Sequence, residues 1–75
     1  MMSAQIFENF FRDVVVSVSH NIFGGKTLIL EKRGKPPLEV FAHVRGYTIK
    51  NAATLDELYK GDADGAVTFV EEWKG

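Results

Sequence analysis

The spacing of hydrophobic positions changes character along this chain. Near the N-terminus, Ile6, Phe7, Phe10, Phe11, Val14, Val15, Val18 and Ile22 recur mostly one, three or four residues apart. At about 100° per residue they share one half of a helical surface, and Gln5, Glu8, Asn9, Arg12, Asp13, Ser19 and His20 take the other. Ser3 supplies an N-cap hydroxyl, and Gly24-Gly25 supplies residues that reach the left-handed conformation of a C-cap. The pattern predicts an amphipathic helix over residues 4–22. Within it, Val14 to Ser19 is rich in β-branched residues and partly alternates, so a strand competes there. The helix accounts for more positions and is the expectation.

Beyond residue 26 the period falls to two. Thr27 to Arg33 reads as a strand leading into Gly34-Lys35-Pro36-Pro37, a turn whose prolines lack the N–H a ladder needs. Leu38, Val40, Ala42 and Val44 alternate on one face of a second strand, and Tyr47 to Lys50 forms a third after Arg45-Gly46. These strands predict an antiparallel meander covered on one face by the N-terminal helix. Thr54-Leu55-Asp56-Glu57 has the form of a capping box, which predicts a short helix near residues 54–60. Residues 66–73 fit both a helical stripe and a strand face. Val67-Thr68 after an Asp-Gly turn favours a strand. The expected class is α+β, in one small domain spanning residues 1–75.

Composition narrows the setting. A chain of 75 residues buries only roughly 60% of the surface it exposes when unfolded, so its core is thin. It has no cysteine. Small domains in oxidising compartments usually depend on disulfides, so a reducing, cytoplasmic setting is expected. No segment reaches the roughly 18 apolar residues of a membrane span, and the first residues lack a basic leader. No membrane association is expected.

The net charge of −1 conceals an uneven distribution: residues 26–50 carry a balance of +4 and residues 51–75 a balance of −4. The basic middle contains Lys26, Lys32, Arg33, Lys35 and Arg45, with Phe41, His43 and Tyr47 nearby. Cations beside aromatics can hold phosphates and stack bases, which makes nucleic-acid binding by this hairpin the alternative function. The order helix, three strands, helix is similar to that of double-stranded-RNA-binding domains, although a lysine-rich final helix is missing.

Residues 60–71 resemble the EF-hand calcium loop. The register places Asp62, Asp64 and Gly65 at its third, fifth and sixth positions and Glu71 at its twelfth. The resemblance implies calcium ligation by Asp62, Asp64 and Glu71. Lys60, however, stands where the first oxygen ligand belongs. Gly25-Lys26-Thr27 matches the end of a phosphate-binding loop, but His20 occupies the position of its leading glycine.

Catalysis finds little support. His20 and His43 lie far apart in sequence, and no nucleophile–base pair or cofactor fingerprint is present. No cofactor is expected. Phe7, Phe10, Phe11 and Val15 form an apolar arc wider than a small sheet covers, and such surface is often completed by a partner or a second copy. The leading expectation is a non-catalytic protein-interaction module: an assembly or accessory subunit, or an inhibitor of a larger complex.

Overall fold

A computed structural model of the chain describes residues 3–21 and 24–75. A short helix α1 (Ala4–Phe10) precedes five strands, β1 (Val15–His20), β2 (Lys26–Leu30), β3 (Leu38–His43), β4 (Gly46–Asn51) and β5 (Glu57–Gly61), and a helix α2 (Ala63–Lys74) follows them. The strands form one antiparallel sheet in the order β1-β2-β3-β4-β5. The class is α+β, as the alternation and the N-terminal stripe predict.

Strand periodicity sorts the side chains between two faces. Leu28, Leu30, Leu38, Val40, Ala42, Tyr47 and Ile49 point to one face and are buried there with Phe7 and Phe11 of the α1 segment and Ala66 and Val70 of α2. Both helices therefore cover the same side of the sheet. Full burial of a large apolar side chain such as Phe7 or Phe11 contributes about 1.5–3 kcal/mol. The opposite face carries Thr27 and Ile29, Glu39, Phe41 and His43, Thr48 and Lys50, and no helix covers it.

Three expectations about individual elements are corrected. The N-terminal helix stops at Phe10 rather than continuing through residue 22; Ile22 itself lies outside the described residues. The Phe11 N–H donates to the Glu8 carbonyl, and the Phe11 carbonyl accepts from both Val14 and Val15, closing a tight turn. The β-branched run beyond it is strand β1, which pairs with β2 from Val15↔Leu30 to His20↔Lys26 with a bulge at Val16. Pairing the backbone of β2 outweighs extension of the helical stripe, because a buried strand's N–H and C=O groups need partners.

The short helix expected near residues 54–60 is absent; β5 stands there, paired with β4. The groups read as a capping box build the preceding turn. The Asn51 side-chain oxygen accepts from the Ala53 and Thr54 N–H groups, and the Thr54 hydroxyl accepts from Asp56 N–H. Such local bonds compete with helix formation.

Residues 66–73, expected as a strand, belong to α2. Asp62 is its N-cap, accepting from Gly65 N–H at 2.8 Å. The stripe of Ala66, Phe69, Val70 and Trp73 faces the sheet. The far end of α2 docks on the β2–β3 turn, where Trp73 Nε1 donates to the Pro36 carbonyl at 2.7 Å. Val44 lies beyond the end of β3 and is exposed rather than continuing its buried face.

Candidate functional site

The apolar arc is divided by the fold. Phe7 and Phe11 are completely buried, their ring centroids 5.0 Å apart, and Val15 is half-buried against the same core. Phe10 stays 54% exposed and Ile6, one helical turn earlier, 48% exposed. Helical geometry sets this pair on the flank of α1 away from Glu8, whose carboxylate meets Lys26 of β2. On β1, Val16 and Val18 are also exposed, at 58% and 38%.

The two edges of the sheet differ. β5 carries Glu57 and Lys60 and a register break against β4, devices that discourage an added strand. β1 presents Val15-Val16-Ser17-Val18-Ser19 with no charge at all, and is exposed along nearly its whole length. Ser17 and Ser19 lie on the open face with Ile29 and Thr27, and Val18 lies on the other with Leu28.

The basic residues do not form one patch. Lys26 sits 2.6 Å from the Glu8 carboxylate. Lys32 Nζ donates to the Lys74 carbonyl at 2.7 Å, where a cation also complements the negative end of α2. Arg33 and Lys35 lie in the exposed β2–β3 turn. Arg45 is at the other end of the sheet, in the β3–β4 turn, with the six residues of β3 intervening. The basic set read from the sequence is thus split between opposite ends of the strands, with two of its lysines engaged inside the fold.

The calcium-loop register does not form either. Asp64 and Glu71 lie within the continuous helix Ala63–Lys74, and Asp62 is used as its N-cap. Among the described residues there is no group of three or more His, Asp or Glu side chains placed to hold a metal ion. Also among these residues, no helix is long and apolar enough to cross a membrane.

Of the aromatics named from the sequence beside the basic hairpin, two form an arrangement that the spacing alone does not give. On the open face, Phe41 and His43 stack with ring centroids 5.2 Å apart and planes inclined by 24°. The Arg45 N–H donates to His43 Nδ1 at 3.3 Å, and His43 Nε2 lies 3.3 Å from the Thr48 hydroxyl. With Nδ1 accepting, the proton sits on Nε2 and donates to Thr48. Tyr47, grouped with these aromatics by sequence, points into the core and packs in a tilted arrangement against Phe7 instead. The signal was available: with Val40 and Ala42 assigned inward, alternation sends Phe41 and His43 together to the other face.

Comparisons of the chain with protein-family models, curated proteins and solved structures give no match.

Proposed function

We propose that this chain is a non-catalytic protein-interaction module whose contact element is the β1 edge. The observation that carries the reading is the uncharged run from Val15 to Ser19, exposed from Val16 onward, at an open sheet edge opposite an edge guarded by charge. An edge strand offers a row of backbone donors and acceptors, and an added strand satisfies them. The exposed Ile6 and Phe10 extend the apolar surface of the same N-terminal segment.

The occupant favoured by the chemistry of the strand is a second copy. An antiparallel β1–β1 pair centred on Val18 sets Val18 beside itself and Ser17 opposite Ser19 of the second copy. Apolar meets apolar, hydroxyl meets hydroxyl, and no like charges oppose. Sedimentation equilibrium over a concentration series tests this. A reversible dimer is expected, and Val18→Lys, which places like charges together at the seam, is expected to return it to monomer with its circular dichroism unchanged. A wild-type protein that remains monomeric throughout the series, with β1 amides exchanging freely, overturns the reading.

A further inference from the structure

We propose that the open face of the sheet binds single-stranded nucleic acid, with bases stacking on the Phe41–His43 platform and phosphates held by Arg45 and Lys60. This site is separate from the β1 edge and shares only Arg45 with the basic set read from the sequence.

The first support is that the platform is built before any ligand arrives. His43 cannot swing freely, because both ring nitrogens are engaged, one by a backbone N–H and the other by the Thr48 hydroxyl. Phe41 stacks on it from two residues away on the same strand. An aromatic surface already fixed in place avoids much of the ordering cost that binding otherwise incurs.

The second support is how charge is distributed around the platform. The two rings help line a shallow depression of about 630 Å³ that also includes Arg45, Thr48 and Lys60, and Glu39, Lys50 and Glu57 line it as well. The ion pairs among the described residues are Lys26–Glu8 and Lys74–Asp13, so neither Arg45 nor Lys60 is neutralised by a close carboxylate. The acidic residues of the face, Glu39 and Glu57, flank Lys50 in the next cross-strand row, Glu39 and Glu57 each registering with it. That row balances itself to within one negative charge. The row holding Phe41 contains Ser19, Thr27, Thr48 and Lys60 in register and no acid.

A row of hydroxyls, the Phe41 ring and the unpaired cation Lys60 thus crosses the sheet perpendicular to its strands, with His43 and Arg45 beside it toward the β3–β4 turn. Five strands at about 4.8 Å spacing make this path roughly 19 Å wide. Aromatics carried on an open sheet stack two or three bases in this manner, and stacking is tolerant of base identity. A duplex buries its base faces within its own stack and fits less well. A protein partner would find one aromatic stack, Ile29 and the exposed Val44 among charged and hydroxyl groups, a poor apolar centre.

Fluorescence anisotropy with labelled oligo(dT) and oligo(U) tests the proposal. Binding of at least one is expected at low salt, with a logarithmic salt slope of about −1.4 for two phosphates on a single strand. Preference between the two reports only on the sugar and is compatible with the site. Phe41→Ala is expected to weaken binding roughly 5- to 150-fold, the range for loss of one stacking platform, and Phe41→Trp to retain it. Arg45→Glu with Lys60→Glu, at exposed positions that leave the core intact, is expected to abolish it. Amide shift mapping should place the oligonucleotide on β3, β4 and β5.

Absence of binding to both oligonucleotides at low salt overturns the proposal. So does binding that survives the double charge reversal, or shifts that cluster at Lys32, Arg33 and Lys35. Concentration-dependent broadening at Phe41 without oligonucleotide would make the face a protein contact and also overturn it.

Discussion

Glu8 and Lys26 form an ion pair at 2.6 Å that ties α1 to β2, with the two side chains 24% and 15% exposed. Breaking a fully buried pair costs about 3–5 kcal/mol, because one charge is left without compensation. Here both groups still touch water, which reduces the cost. Glu8→Gln is expected to destabilise the fold by about 1–2 kcal/mol in urea denaturation. Combining it with Lys26→Met is expected to cost less than the sum of the single changes.

The Tyr47 hydroxyl is buried with no hydrogen-bond partner, and burial pushes its pKa above the ordinary tyrosine value. Partial desolvation, reinforced by the Asp62 carboxylate, pushes Tyr59 in the same direction. Removing an unsatisfied polar group without changing shape costs little, so Tyr47→Phe is expected to be neutral or to stabilise by up to about 1 kcal/mol.

A raised phenol pKa means that the folded state holds its proton more tightly than the unfolded chain. The associated stability is fully present below the unfolded value of about 10 and is lost as pH rises through the folded value. Alkaline unfolding of the wild type should therefore coincide with phenolate formation, followed by ultraviolet absorbance. Tyr47→Phe should shift that unfolding to higher pH.

Gly65 occupies the first turn of α2 directly beneath Tyr59, whose hydroxyl donates to the Asp62 carbonyl at 2.9 Å. A Cβ at position 65 would overlap the Tyr59 hydroxyl. In an open helix, glycine to alanine gains about 1 kcal/mol. Gly65→Ala is expected to lose about 1–3 kcal/mol instead, because the ring must move. In a Tyr59→Ala background the same substitution should regain its helical benefit. Thermal melts of the four proteins check the reversal of sign.

Leu55 adopts φ 66° in the β4–β5 turn and is largely exposed. A branched side chain is disfavoured in this left-handed region, whereas glycine is not. Leu55→Gly is expected to stabilise the protein by about 0.5–1 kcal/mol despite the greater freedom it gives the unfolded chain. Urea midpoints of the two proteins decide it. A midpoint that falls would show that the leucine contributes contacts outweighing its backbone strain.

The middle of the sheet was legible because β2, β3 and β4 each have one buried face. Leu28 and Leu30, Leu38, Val40 and Ala42, and Tyr47 and Ile49 alternate with polar or half-buried neighbours, and few other structures accommodate that period. The edge strands have no such signature. β1 is exposed almost throughout, so its valines matched a helical stripe as well as a strand. β5 owes its conformation to pairing with β4, while its local capping chemistry was taken by the Asn51 turn. Val67-Thr68 in α2 favours strands intrinsically, an inclination that the Asp62 cap and the burial of Ala66 and Val70 in the core override.

Legibility of the surface followed the same division. Charges could be counted along the chain, but the hairpin geometry that sends Lys32 and Arg45 to opposite ends could not be weighted from composition. Phe10 differs from Phe7 and Phe11 by lying on the flank of α1 with Ile6, a distinction that depends on how the helix is turned against the sheet. Phe41 and His43 needed no tertiary information beyond the inward assignment of Val40 and Ala42.

Every strand of this sheet lies beside the strands that precede and follow it in the chain, with no crossover anywhere between β1 and β5. Each pairing therefore closes a short loop, and the entropy lost in bringing partners together stays small at every step. Such a chain can zip from one hairpin to the next, and folding in the millisecond range or faster is expected for so local a topology. The helices have the longer journey: α2 must return its C-terminal turn to Pro36, and Lys74 must reach Asp13 at the start of the chain. Docking of α2 is thus the step that joins the two ends of the sequence, and deleting the Trp73 contact should quicken unfolding while leaving the rate of hairpin formation almost untouched.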